Sequence, residues 1–499
     1  MENKSSSNTV QAFWVLLGSL SAFGFTIVSS MLLSRYFNKN DYGTYKQVMY
    51  VYSSLLVVFT LGLPKAFSYF LPRVTKGQAK DLISKLNLIL MGMGLIMSAC
   101  FFFGADLFAS VLKNNELVVP IKYFSLVPLF LLPTMGVEGI LATYKKTQLL
   151  AVYKTCSQFF MLAAVVLPVI LFKGTINTAI IGFTISSFLC FLVALFLKNN
   201  PIKNYGKEKS VVTYKEIFKY TIPIMGASIW GIIITSSDQF FISRYFGSEV
   251  FADFANGSLE LPFVGMIIAS TSTVLAPIFS KHVFEKGKDS KAEVLLLWQS
   301  VLSKTVKIIY PLVVFCFCFA SSIMVILYGE KYADSGTYFQ IKLIVNFFTV
   351  IAYGPLLLSI GGEKFYFNVH MYGAFILVGL EWLVVTLFDS PYLVTATSVF
   401  CQIGRIVIMM SFIASYFNVK LIDLFPIKLS LKIIIPSFVL IFGIKFLLLL
   451  FFNVENLFVL IFLTGLFYLI TYYVYVRIIK IDYMEIINPL LNKIKFNRF

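Results

Sequence analysis

Four ionisable side chains interrupt long apolar runs: Asp238, Glu260, Glu381 and Arg405. Lys46 and Lys65 stand at opposite ends of another such run. A charge in an apolar medium is expensive, so an ionisable residue there is by default a working residue. Asp238 and Glu260 have the chemistry to hydrogen-bond hydroxyl groups or to carry a coupling proton or Na⁺. Their structural alternative is a pair with Arg244 or Arg35. Arg405 carries the planar fork that suits phosphate or another acidic group. Its alternative is an ion pair with Glu381 on the neighbouring run. The two differ in depth by about 9 Å, part of which long side chains can bridge. Lys46 and Lys65 suit either phosphate contacts or snorkelling anchors. Arg35 and Arg244 suit anchoring or gate closure. Glu138 lies close in sequence to Lys145, Lys146 and Lys154 and reads as an ion pair.

Other chemistries are disfavoured. His282 and His370 are the only histidines, so a His-based zinc cluster has no ligands. The six cysteines all sit in apolar runs and form no CxxC pair, which reads as packing, with no metal site. Gly92 and Gly94 lie inside an apolar run with no flanking strand, so they form no phosphate loop. No cofactor is expected beyond a coupling H⁺ or Na⁺.

The elements that hold these charges follow from composition. Of 499 residues 59% are apolar and 13% charged, against about 25% charged in soluble domains. At about 20 residues per crossing, the apolar runs give an all-α polytopic membrane protein of about fourteen transmembrane helices. The first seven spans fall near residues 11–33, 44–63, 83–104, 117–142, 149–172, 175–197 and 217–242. The others fall near 250–279, 305–327, 338–360, 368–388, 392–416, 430–452 and 456–476. The net charge of +17 would suggest nucleic acid in a soluble chain. Here the lysines and arginines divide roughly three to one in favour of the side that holds both termini, which makes that side cytoplasmic and nucleic acid no partner. The longest loops, 198–216 and 280–300, are basic and too short for a core of their own. No soluble catalytic domain, and no enzyme, is expected. The run 13–33 is too long for a cleavable signal.

The sequence repeats itself. Ser34-Arg35-Tyr36-Phe37 recurs as Ser243-Arg244-Tyr245-Phe246. In the same register Gly18, Ala22 and Thr26 align with Ala227, Gly231 and Thr235, small residues four apart that let helices approach closely in lipid. Tyr42 and Tyr45 align with Phe251 and Phe254. Six spans separate the copies, so the repeat is parallel. This predicts two six-helix lobes, 1–200 and 201–420, followed by two extra helices and a basic cytoplasmic tail over 421–499. Transporters of this type hold substrate between the lobes and open to each side in turn.

Two stretches carry a family resemblance. One is the turn from Leu33 to Tyr45, an apolar helix end followed by a short polar turn with Asn40-Asp41-Tyr42-Gly43. The other is Ser237-Asp238-Gln239 followed by Ile242-Ser243. With the fourteen spans, they make the chain resemble the Wzx-type polysaccharide flippases, in the superfamily that also holds the MATE drug exporters and the lipid II flippases. The resemblance implies a central cavity lined by spans 1, 2, 7 and 8. It implies a lipid-linked oligosaccharide on undecaprenyl pyrophosphate, such as an O-antigen or capsule repeat unit, flipped from the cytoplasmic to the outer leaflet of the bacterial inner membrane. It implies membrane lipids as surroundings, and a polysaccharide polymerase and glycosyltransferases as partners. The competing expectation is a cation-coupled small-molecule exporter of the MATE type.

Overall fold

The structure, a computed structural model, describes residues 8–286, 291–452 and 454–485. It is all-α, with no strand among the described residues. Ten described helices are long and apolar enough to cross a membrane, or twelve if each of two bent pairs is one span. The chain divides into two compact units. One runs to Ala255 and includes Glu381–Pro391; the other holds Asn256–Leu380 and the chain from Tyr392.

The first unit begins with α1 (Asn8–Tyr36) and α2 (Lys39–Phe59). Asn38 separates them: extended backbone takes it out of the helix, and its side chain accepts the Asp41 N–H to start α2. At the far end of α2, Leu61 and Gly62 both take positive φ. Pro64 then opens α3 (Leu63–Phe70), and the pair is bent by 45°. The second span therefore reaches further than 44–63 and is broken, because run length registers hydropathy and not these turn residues.

Helices α4 (Lys76–Phe103) and α5 (Ala105–Leu112) follow. The fourth span is bent as well, by 53°. It consists of α6 (Val118–Phe124), α7 (Val127–Thr134) and α8 (Gly136–Thr143), with Pro128 and Pro133 at its joints. Helix α7 ends one residue after Pro133, whose carbonyl accepts a hydrogen bond from Lys198 Nζ, which also donates to Asn87 Oδ1 at 2.5 Å. Lys198, near the end of α10 (Ile176–Asn199), is thus buried with hydrogen-bond acceptors around it. Helix α9 (Thr147–Leu171) packs between α1 and α10. Gly18 allows the first contact: a Cβ there would stand 2.8 Å from Ala151 Cα. Gly231, on the repeated stripe, has nothing within 4 Å of its Cβ position among the described residues. Close helix approach through the glycine is therefore seen in one copy and not in the other.

The connector 203–213 is pinned. Lys76 Nζ meets the Tyr205 hydroxyl at 2.8 Å, Ser210 N–H donates to Asp81 at 3.0 Å, and Lys207 pairs with Asp81 at 3.6 Å. Then comes α11 (Tyr214–Gly257), in fact two helices that meet at a kink at Gly247, φ 83° and ψ 179°. The repeat aligns Gly247 with Asn38, so both copies turn at the same position, one at a cap and the other at a glycine.

The second unit contains α12 (Pro262–Lys286), α13 (Lys291–Cys318), α14 (Ala320–Tyr328), α15 (Ser335–Leu343) and α16 (Tyr353–Ser359). It also holds most of α17 (Glu363–Phe388), nearly all of α18 (Pro391–Phe417), and α19 (Leu421–Leu424), α20 (Ile427–Phe452) and α21 (Leu457–Ile478). Its core is aromatic: Trp298 is fully buried between Phe279 and Tyr353. The long loop expected over 280–300 is mostly helix, since α12 runs to Lys286 and α13 starts at Lys291. Spans 9 and 10 are not single helices. Span 9 breaks at Phe319, and span 10 is interrupted between α15 and α16, where the Tyr310 hydroxyl binds the Phe347 carbonyl at 2.6 Å. Most of the basic tail expected after the last helix lies outside the described residues.

Candidate functional site

The two copies of the repeat meet in the first unit. Ser34 and Ser243 are both fully buried. Tyr42 and Tyr45 form a ring pair at 6.5 Å, and their counterparts Phe251 and Phe254 form one at 6.2 Å. The contact between α2 and α11 is polar at its rim. Lys39 pairs with Asp253 at 2.8 Å, and the Ser248 hydroxyl donates to Asn40 Oδ1. Asn40 Nδ2 donates to Glu116 at 2.9 Å. Inside the rim, Gln47 Nε2 donates to Ser243 Oγ at 2.8 Å while its Oε1 accepts from Asn114 at 2.6 Å. Gly43 lets the backbones touch: a Cβ there would lie 1.9 Å from the Ser248 carbonyl oxygen.

One layer deeper, Tyr50 on α2 turns its hydroxyl to the Ser236 carbonyl at 3.4 Å and its ring to Phe251 at 5.9 Å. Asp238 and Glu381 both interact electrostatically with Tyr50, and both are fully buried. Two acids expected on separate spans thus share one neighbourhood around a tyrosine. Its groups are hydrogen-bond donors and acceptors of the kind that bind hydroxyls or a cation.

The other candidates lie elsewhere. Lys46 donates to Ser30 at 3.1 Å and lies 5.2 Å from the Tyr42 ring, so it ties α1 to α2. Lys65 is exposed beside the bend of the second span. It lines a cavity of about 560 Å³ with Ser68, Glu138 and the stacked rings of Tyr69 and Tyr220, 4.0 Å apart. Arg73 covers the Tyr69 ring at 3.5 Å. Glu138 pairs with Lys154 at 2.9 Å, the ion pair its sequence neighbourhood suggests. Arg35 is exposed, whereas Arg244 donates to the Val111 carbonyl. The repeated arginines therefore differ in surroundings. Glu260, expected inside a helical span, is exposed in the non-helical stretch 258–261, after α11 has ended and before Pro262 restarts the chain as α12. In the second unit Arg405 lies against α17. Its Cδ is 3.7 Å from the Cβ position of Gly373, and it interacts electrostatically with Tyr366 and His370. Its Nε has no hydrogen-bond partner among the described residues.

Tyr50, Gln47 and Asn114 carry no special sequence signal; tyrosines and buried amides acquire a role only through their neighbours. Gly43 did carry one, as part of the Tyr-Gly pair after the first turn.

Residues 32–337 match the model of a family described as polysaccharide biosynthesis protein. No curated protein sequence matches the chain. Several solved structures are similar. The lipid II flippase MurJ in an inward closed conformation is 15% identical with a TM-score of 0.69, over 94% of this chain and 99% of that one. An inward-facing multidrug resistance MATE family transporter of the MOP superfamily is 12% identical with a TM-score of 0.63, over 82% and 98%. The Vibrio cholerae MATE transporter VcmN in its bent form is 11% identical with a TM-score of 0.55, over 82% and 96%. At these identities the likeness establishes a common fold.

Proposed function

Because the chain belongs to the polysaccharide biosynthesis protein family, we propose that it is a flippase for lipid-linked oligosaccharide. It turns an oligosaccharide on undecaprenyl pyrophosphate from the cytoplasmic to the outer leaflet of a bacterial inner membrane. The observation that carries this reading is the conjunction of that family with a fold shared, over 94% of the chain, with a protein described as a lipid II flippase. Both termini are cytoplasmic in this proposal. The lobes 1–200 and 201–420 alternate in access, with 421–499 as an accessory pair of helices. A polymerase and glycosyltransferases act before and after it.

The residues take roles that fit their surroundings. The α2–α11 contact at Lys39, Gly43 and Gln47 is the outer gate in its closed state, with Arg244 bracing it. Asp238, Glu381 and Tyr50 present oxygens to sugar hydroxyls or to a coupling H⁺ or Na⁺, and Glu260 is a second candidate for the ion. Arg405, an apolar-embedded guanidinium with an unused N–H, holds the pyrophosphate or an acidic sugar. Lys65 and the Tyr69–Tyr220 stack form an inner vestibule in which an anion and a sugar ring can both be met.

The test is complementation of a deletion strain, with surface polysaccharide as readout and membrane protein level as control. Arg405→Ala and Asp238→Asn are expected to abolish export at normal protein level. Normal export by both variants removes the site assignment. Intact surface polysaccharide in the deletion strain, with loss of drug efflux, removes the function and favours the MATE-type exporter.

A further inference from the structure

The second unit carries an open cavity of about 660 Å³ between the ends of α13, α20 and α21, away from the charges discussed above. Lys428, Lys432 and Lys480 line it and are exposed. None of the three has an ion pair among the described residues. Of the two acids beside them, one is paired with other lysines and the other accepts a backbone N–H. Glu485 pairs with Lys304 at 3.0 Å and Lys307 at 3.3 Å, and Asp482 Oδ1 accepts the Met484 N–H at 2.7 Å.

The wall behind the lysines is built. Tyr483 donates to the Lys307 carbonyl at 2.8 Å, and its hydroxyl meets that of Tyr472 at 2.9 Å. The buried Lys307 ammonium donates to the Asp482 carbonyl at 2.7 Å. Tyr475 fixes the Lys432 carbonyl from α21 at 2.8 Å. Three unpaired ammonium groups thus line one hollow together with Lys307, against the two carboxylates of Asp482 and Glu485, so the lining is positive on balance.

The face of α20 that begins with Lys428 and Lys432 continues through Ile435, Val439, Phe442 and Phe446, all exposed. These residues recur every three or four positions, so they form one stripe along the helix. The stripe runs from a basic hollow into wholly apolar surface. That is the outline of an amphiphile with an anionic head and acyl chains; a free ion has no use for the stripe.

We propose that this cavity binds the phosphate headgroup of an acidic phospholipid, whose chains lie along α20. Basic pockets at the ends of membrane helices suit such headgroups, because each lysine near an acidic surface adds attraction that water screens only in part. The site is separate from the substrate path proposed above, and its occupant is a resident lipid. It would tie the last two helices to the acidic leaflet.

The experiment uses the purified full chain in neutral detergent. Thermal unfolding is followed against phosphatidylglycerol, phosphatidylcholine and inorganic phosphate at equal phosphate concentration. Phosphatidylglycerol is expected to raise the melting temperature; phosphatidylcholine and inorganic phosphate are not. In a K428Q/K432Q/K480Q variant the half-saturating phosphatidylglycerol concentration is expected to rise by about a hundredfold, on the order of fivefold per lysine. A K428R/K432R/K480R variant keeps the response. A phosphatidylglycerol effect that survives the triple glutamine variant overturns the proposal. So does an equal effect of inorganic phosphate, which would mark a free-anion site, or of phosphatidylcholine, which would mark unspecific solvation. If the glutamine variant does not fold, the native chain decides. A half-saturating concentration that does not rise with salt overturns the proposal, and one that rises supports it.

Discussion

Replacing Gly43 with alanine tests the α2–α11 gate at its tightest point. The new Cβ would lie 1.9 Å from the Ser248 carbonyl oxygen, 2.5 Å from its carbon and 3.1 Å from its Cα, where ordinary contact begins at 3.4 Å. The helices must separate by about 1.5 Å, since the obstacle is backbone and cannot rotate away. Overpacking of this kind costs about 1–3 kcal/mol. Borne only by the closed state, that shifts the gate's equilibrium by about 5- to 150-fold. Neighbouring contacts, Lys39–Asp253 and Gln47–Ser243, lengthen with it. The assay is cross-linking of an Asn40→Cys/Ser248→Cys pair in membranes, with the six native cysteines replaced. These two residues are hydrogen-bonded in the native chain, so a short cross-linker spans them. Gly43→Ala is expected to cut the yield at least about fivefold and to reduce export. Gly24→Ala, whose Cβ meets nothing within 4 Å, should leave both unchanged. An unchanged cross-linking yield in Gly43→Ala refutes the reasoning. Rescue of its export by Ser248→Gly refutes it too, because removing a side chain cannot relieve a clash with a carbonyl.

Other perturbations probe separate parts. Lys39→Asp and Asp253→Lys should each reduce export by a few fold and the double exchange should restore it; a double variant worse than both singles would show that the 2.8 Å pair contributes nothing. Lys198→Ala leaves Asn87 and the Pro133 carbonyl unpaired and a hollow behind, at a cost of about 2–4 kcal/mol. Scanning fluorimetry should register this as a melting temperature lowered by several degrees; an unchanged value would refute it. The hydrogen bond from Lys304, and then that from Lys307, holds the Glu485 carboxyl below its ordinary range. A lowered folded value means that its contribution is complete above the ordinary glutamate pKa and fades as pH falls through the folded one. The side chain is 43% exposed, so the effect is small. Glu485→Gln should lower the melting temperature slightly at neutral pH and leave it unchanged below the folded pKa, which flattens the acid limb below about pH 5; a limb identical to the wild type counts against the pair.

Much of the architecture was legible because lipid imposes length and apolarity on every crossing. The breaks were less so. The signals are present, as Gly62 before Pro64 and as Gly257-Ser258 before Pro262, but hydropathy runs pass over them, so by hydropathy alone Glu260 falls within a helix, whereas the chain is non-helical there. Asp238 and Glu381 stand out in sequence because charge is rare in such runs. Their shared neighbourhood does not, since it depends on a tyrosine of ordinary type and on residues far apart in the chain. Lys198 reads as the first cation of a loop. Only the Pro133 carbonyl across the packing, left open where α7 ends, reveals why it is buried.

The paired turns at Asn38 and Gly247 have different tolerances. Asn38 has extended backbone, φ −67° and ψ 171°, open to any residue type, so that corner can lose its asparagine for the modest penalty of a missing cap. Gly247 occupies a region of backbone space closed to side chains. One corner therefore tolerates substitution and the other does not. A saturation library over both should recover many residues at position 38 and glycine almost alone at 247.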